Sequence, residues 1–230
     1  MATELQKSNA ARAQAVLFDL DGVLVRTDRL HFQAWKRVCD SRGWRFDEQV
    51  NHLLRGVPRM DSLRIILRHN GAALPPEAET QAADEKNAFF RESLKTISKN
   101  DLIPGALELV QGVRALGAKT AICSSSRNAS DIVKALGIAQ LFDAITTANE
   151  VTKAKPAPEI FLVSAKLLGM PPELCVVVED AQAGLDAARA AGMRCVGFGE
   201  PNVLKGATLL LQSFEGASPV MLLEPERQLR

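Results

Sequence analysis

Residues 15–24 read Ala15-Val16-Leu17-Phe18-Asp19-Leu20-Asp21-Gly22-Val23-Leu24, an apolar run that ends in two carboxylates and a glycine. A buried strand uses Ala15 to Phe18 for packing but has no packing use for Asp19 and Asp21. Along an extended chain, side chains i and i+2 project to the same side. The two carboxylates therefore set out facing the same way, where the strand ends and the chain turns at Gly22. Like charges so close are unfavourable unless a cation, a shared proton or a substrate relieves them. Asp and Gly are also common turn residues, so a strand-ending turn is the competing reading of this block, and the rest of the chain has to decide.

Working outward, strand-like runs alternate with helical patterns from about Pro104 onward. Residues 106–116 carry Leu107, Val110, Val113 and Leu116 at helical spacing, and 119–123 is a short β-type run. Residues 131–136 then read as helix, 144–147 as extended, 159–168 as an amphipathic helix and 174–178 as a buried strand. Residues 181–191 form a helix that stops at Gly192, and 194–198 is the next strand. Such alternation predicts an α/β fold, a parallel sheet with helices on both faces. Residues 208–211 are expected to add an edge strand, with the tail beyond loosely held.

Between the first strand and this region the character changes. Residues 30–42, 48–54, 60–68 and 77–96 read as helix, with no strong strand among them. We expect a core domain from 1–28 and 101–230, with an all-helical cap, 29–100, inserted after the first strand. Ligands of open parallel sheets bind outside the carboxyl ends of the strands, so such a cap would close over the site as a lid.

The chain's 230 residues carry 28 Lys and Arg against 27 Asp and Glu, a net charge of +1. No global field draws it to nucleic acid or a membrane surface. Residues 1–14 are polar, without the apolar core of a signal peptide, and no run reaches transmembrane length. Cys39, Cys123, Cys175 and Cys195 show no CxxC pairing and read as small buried hydrophobes. A cytoplasmic, monomeric globular protein is expected.

Chemically loaded groups fall where strands should end. After 119–123 come Ser124, Ser125, Ser126, Arg127 and Asn128, hydroxyls and backbone N–H groups suited to an anion at a helix start. Plain N-capping needs only one such residue. Lys153, Lys155 and Pro156 precede the 159–168 helix, where the macrodipole disfavours a cation. A balancing external anion explains Lys155, and a solvated surface position explains Lys153. Glu179 and Asp180 end a run of valines, although one of them could simply cap the next helix. Carboxylates in this number suit Mg²⁺, a phosphate oxygen and retained waters, and the lack of His and Cys argues against zinc. Phosphoryl transfer uses these parts: a metal, a lysine, N–H and hydroxyl donors, and a nucleophile in line.

The segment Phe18-Asp19-Leu20-Asp21-Gly22-Val23, Ser124, Lys155-Pro156 and Glu179-Asp180, in this order and spacing, resemble the haloacid dehalogenase (HAD) superfamily of phosphatases and phosphomutases. The resemblance runs from about residue 15 to 200 and implies a Rossmann-like core with a helical cap. It implies Asp19 as a nucleophile forming an aspartyl-phosphate and Asp21 as general acid and base. Ser124, Ser125 and Lys155 would hold the phosphoryl group. Asp19, Glu179, Asp180 and the Asp21 backbone carbonyl would hold Mg²⁺.

The cap narrows the resemblance to the β-phosphoglucomutases, through residues 27–36, 54–63, Lys86-Asn87 and 124–128. This implies Thr27 and His31 near the hinge, Arg59 on the distal phosphate of a sugar bisphosphate, and Lys86, Ser126 and Asn128 around the sugar, with Trp35 and Gly56 beside them. Several of these have plainer readings: Arg59 as an exposed helix-start arginine, Trp35 as cap core, His31 as a satisfied helix histidine. His52 and His69 read as surface. Arg55 stands where lysine is common, Arg26 where an acid is frequent, and Ala181 where serine is common. The implied reaction interconverts β-D-glucose 1-phosphate and glucose 6-phosphate through a bisphosphate. A sugar-phosphate phosphatase is the main rival. A phosphate-binding regulator without turnover is disfavoured because every catalytic carboxylate is present.

Overall fold

In the computed structural model, which describes residues 12–54, 57–200 and 204–224, Ala15–Phe18 forms strand β1 with all four side chains fully buried. Both faces of such a strand are covered, so each position is apolar. The other strands are β2 (Lys119–Cys123), β3 (Ala144–Thr146), β4 (Cys175–Glu179), β5 (Arg194–Phe198) and β6 (Leu209–Leu211). They form one sheet in the order β3-β2-β1-β4-β5-β6, every neighbouring pair parallel. Phe18 pairs with Ile122 on one side and Val178 on the other. Asp19, Cys123 and Glu179, each the next residue, therefore emerge together at the switch point of strand order, where open sheets bind ligands.

Alternation along β1 supplies both faces of the core. Val16 and Phe18 pack with α5 (Ala106–Ala115) and α6 (Ala129–Leu136). Ala15 and Leu17 pack with α7 (Glu159–Leu168) and α8 (Gln182–Ala190). The loosely held tail expected from sequence is corrected through residue 224. A short helix, α9 (Val220–Leu223), buries Leu222 and Leu223 fully in the sheet core. The Arg194 guanidinium donates to the carbonyls of Leu222, Leu223 and Glu224. A single turn carries too little periodicity to be read from sequence; its anchor is an arginine on β5.

The helices between β1 and β2 are α1 (Asp28–Asp40), α2 (Glu48–His52), α3 (Arg59–His69) and α4 (Pro76–Ser93), and a 3₁₀ turn at Leu94–Thr96 replaces the last turn expected of α4. They share a core of their own that includes Trp35, Val38, Leu63, Ile66 and Ala83. Leu30, Ala34, Phe90 and Leu94 instead join the sheet's core, so the base of this bundle is seated on the sheet. The two crossings between bundle and sheet lie side by side. Val25 bridges to Leu102, the Arg26 N–H donates to the Asp101 carbonyl at 2.7 Å, and the Ile103 N–H donates to the Leu24 carbonyl at 3.0 Å. Among the described residues no helix is long and apolar enough to cross a membrane.

Candidate active site

Lys155, on the loop before α7, is the centre of the site. Its ammonium donates to Asp19 Oδ1 at 2.6 Å, to Glu179 Oε1 at 2.5 Å and to the Cys123 carbonyl at 2.9 Å. Three donors meet three acceptors, above the Phe161 ring, whose centroid is 5.0 Å away. Burial alone would lower the lysine pKa, but Asp19 and Glu179 more than offset it and hold the group charged. The carboxylates carry the opposing strain. Burial, with Asp19 adding to it and Lys155 opposing, pushes Glu179 up to about 7. Asp180 is pushed up to about 8 by burial, then by Asp19 and Glu179.

One oxygen from each of Asp19, Glu179 and Asp180 lies within 4.8 Å of the others. Two glycines make room for this set. A Cβ on Gly22, whose φ is +91°, would stand 2.1 Å from Asp180 Oδ2, and one on Gly184 would stand 1.9 Å from Glu179 Cδ. Three hard oxygen donors facing a single lysine charge, packed into Cβ-free cradles, fit a small divalent cation such as Mg²⁺.

Asp21 faces the same edge with different partners. It accepts a short hydrogen bond from Thr27 Oγ1 and a longer one from Ser124 Oγ at 3.3 Å. Burial and the neighbouring Asp19 push it up to about 6, against the pull of the two hydroxyls. Such a group gives and takes a proton near neutrality. Ser124 Oγ also accepts from the Ser126 N–H, and Ser126 Oγ from the Asn128 N–H. The hydroxyl cluster thus folds its own loop into shape at the start of α6. Ser125, half-buried, lies on that loop.

The helical bundle brings further groups over Asp21. His31 Nε2 lies 4.0 Å from Asp21 Oδ1, and its ring stacks on Phe90. Lys86 Nζ lies 2.8 Å from His31 Nδ1; a charged lysine can only donate there, which puts the histidine's own N–H on Nε2, toward Asp21. Burial, Lys86 and Arg59 hold His31 neutral, and burial with Arg59 pushes Lys86 down to about 7. Arg59, at the start of α3, is mostly buried, 3.9 Å from the Asp84 carboxylate. Burial and Arg127 across the cleft both lower its pKa. Trp35 is buried in the bundle's core, its ring 5.5 Å from Lys86 Nζ. It reaches the cleft through that lysine rather than directly.

Residues 13–192 match the haloacid dehalogenase-like hydrolase family. The chain belongs to that family. It is 36% identical over 219 residues to a β-phosphoglucomutase of Bacillus subtilis, covering 94% of this chain and 97% of that one. It is 32% identical over 218 residues to a phosphorylated carbohydrates phosphatase of Thermotoga maritima, covering 93% and 95%. The crystal structure of a β-phosphoglucomutase from Clostridium difficile superposes with a TM-score of 0.83 at 37% identity, over 89% of this chain and 92% of that one.

Within this HAD fold, Asp19, Asp21, Ser124, Lys155, Glu179 and Asp180 converge at one sheet edge, with Thr27, His31, Arg59, Lys86, Ser126 and Asn128 around it. Gly56 and Arg55 lie outside the described residues. The partly exposed Ala181 donates its N–H to Glu179 Oε2 at 3.3 Å, so the backbone rather than a serine hydroxyl serves that carboxylate. Sequence reasoning named Arg127 and Asn87 only within the matching segments, with no role of their own, and left out Phe90 and Phe161. Arg127 sits inside the 124–128 cluster and could have been flagged by charge. The other three become site neighbours only through tertiary packing.

The raised carboxylates give a pH dependence with a definite sign. Asp21, Glu179 and Asp180 hold protons in the folded chain that the unfolded chain has already shed. Without a cation, stability is therefore expected to fall as pH rises from about 4 to about 8. Thermal unfolding in EDTA at pH 5 and pH 8 measures this slope. Mg²⁺ should raise Tm more at pH 8 than at pH 5; an equal effect at both would show that the acids do not share a cation site.

Proposed function

We propose that this HAD enzyme is a Mg²⁺-dependent phosphomutase of β-phosphoglucomutase type, acting on a small phosphorylated sugar. The observation that carries the reading is the cap: Arg59, Lys86 and His31 face Asp21 and Arg127 across the cleft, opposite the phosphoryl site. Similarity to the B. subtilis mutase along nearly the whole of both chains, cap included, supports it. All the residues this reading uses come from one chain, so it asks for no partner subunit.

In this reading Asp19 attacks phosphorus and forms an aspartyl-phosphate while Asp21 protonates the departing sugar oxygen. Asp21 then takes the proton of the incoming sugar hydroxyl as the phosphoryl group returns. A bisphosphate turns over between the two halves. Ser124 and Lys155 hold the phosphoryl oxygens. Asp19, Glu179, Asp180 and the Asp21 carbonyl would hold Mg²⁺, which neutralises charge on the transferring group. Asp21 would be oriented by Thr27, and His31, kept neutral by burial and by Lys86, would present an N–H to a sugar oxygen lying between it and Asp21. Arg59 suits the distal phosphate because its planar fork pairs bidentately with phosphate oxygens.

The rival reading, a sugar-phosphate phosphatase, rests on the similarity to the T. maritima phosphatase. The two part on what arrives second. β-Glucose 1-phosphate, offered with Mg²⁺ and a trace of glucose 1,6-bisphosphate, should yield glucose 6-phosphate. Release of free glucose and inorganic phosphate instead would establish the phosphatase.

Arg59→Ala separates the two by its pattern. Loss of a charge-assisted phosphate contact costs about 1.5–3 kcal/mol, so kcat/KM for the sugar phosphate should fall about 10- to 150-fold. Hydrolysis of a small phosphate ester that does not reach the cap should change little. Equal losses on both substrates would remove Arg59 from a distal phosphate site.

A further inference from the structure

Two polar contacts run from cap to core along neighbouring helices. Asn128 Nδ2, at the start of α6, donates to Asn87 Oδ1 of α4 at 2.8 Å. One turn further along each helix, Arg91 Nε lies 3.5 Å from Asp131 Oδ2. Beyond that, the 3₁₀ turn at Leu94–Thr96 lies against α6, with Leu94 buried in the sheet's core.

Residues 87, 91 and 94 follow the i, i+4, i+7 spacing, so they form one stripe on α4 and its extension. That stripe is laid along α6 in register. The two helices run the same way at this contact, since 87 meets 128 and 91 meets 131. Asn87 stands about 10 Å along the helix from Leu94, and Leu94 is buried in the same core cluster as Val25, where the chain crosses into the sheet domain. Rotation of the cap about that crossing therefore separates Asn87 from Asn128 first and Leu94 from the core last.

The two polar contacts differ in kind. Arg91 and Asp131 are more than half and half exposed, and such a pair contributes little alone. Asn128 is buried, and its backbone N–H is already committed to Ser126 Oγ. The partner of its carboxamide decides which way that group presents itself to the cleft. The partner is Asn87, which the cap supplies.

We propose that Asn87 is a positioning residue: closing the cap brings it onto Asn128 and fixes the carboxamide at the phosphate-and-sugar edge of the site, while the Arg91–Asp131 pair guides α4 into the same register. The inference rests on the reading of Asn128 as a sugar contact. It assigns nothing to Asn87 in the chemical step.

The test reads cap position and kinetics separately. Glu77 of the cap and Gln140 of the core are exposed, so fluorophores on Glu77→Cys and Gln140→Cys report their separation by energy transfer. The four native cysteines are buried and stay unlabelled. Asn87→Leu removes the acceptor and should raise the open fraction of the ligand-free cap about five- to tenfold. KM for β-glucose 1-phosphate should rise by a similar factor, with kcat changing less. Asn87→Asp keeps the acceptor and should restore both. Reversing either charge alone, Arg91→Asp or Asp131→Arg, should also open the cap, and the double reversal should close it again.

An unchanged distance distribution in Asn87→Leu and in both single reversals overturns the proposal, as does Asn87→Asp behaving like Asn87→Leu. An opened cap with unchanged sugar constants would keep the register role and remove Asn128 from the sugar site. The distance readout needs no acceptor for the phosphoryl group, so a chain that proved to be a phosphatase would still show it.

Discussion

Asp19→Asn is expected to lower turnover by roughly 10⁴- to 10⁶-fold, the scale on which removing the nucleophile of a catalytic unit acts. The substitution is nearly isosteric. Its amide oxygen can still accept from Lys155, which keeps Glu179 and the Cys123 carbonyl as its other partners, so the fold should survive. The amide cannot form the acyl-phosphate. Steady-state turnover and trapping of labelled phosphoenzyme measure the two consequences together. Activity within tenfold of the parent, or a phosphoenzyme of normal yield, would take the nucleophile assignment away from Asp19.

Lys155→Met should act on stability as well as rate. It leaves Asp19 and Glu179 facing each other across a nearly dry site, Lys155 and Glu179 having side chains 6% and 1% exposed. Breaking a buried pair by removing one partner costs about 3–5 kcal/mol, and urea unfolding in a chelator should show a loss of that order. Mg²⁺ at 100 times its Kd returns about 2.7 kcal/mol by mass action to either chain, so the gap to the parent should narrow only as far as loss of the lysine lets the freed carboxylates bind the cation more tightly. Turnover should still fall by at least about 10²-fold, because a preorganised charge aimed at the transferring group is gone. A variant as stable as the parent in chelator would mean that the lysine does not hold these carboxylates in place.

Much of the fold was legible because its signals are local. Each central strand ends in an apolar run, and the chemistry sits on the residue where each run stops: Asp19, Ser124, Glu179. The helical insertion was legible from periodicity and from the absence of strands. What stayed hidden depends on partners distant in sequence. The tail is held by Arg194, and α9 is too short to announce itself. Phe161 supports Lys155 from inside α7, where a phenylalanine reads as core. Asn87 acquires a role only when α4 lies along α6, and no spacing within α4 could reveal that. Trp35 stood in the sequence with two readings, and the fold puts its ring in the cap's core with a lysine at its edge.

The side-by-side crossings at Val25 and Leu102 have a further meaning. The chain leaves the sheet and returns to it at one place, so the whole cap is attached as though by a single stitch. The entropy of closing a loop grows only slowly with its length, and insertions of very different size could occupy the same point at similar cost. Asp19 and Asp21, on the core side of the stitch, would keep their setting whichever insertion stood above them. On the proposed reading the sheet would hold the phosphoryl chemistry constant, and the choice of what it acts on would be carried by an exchangeable part.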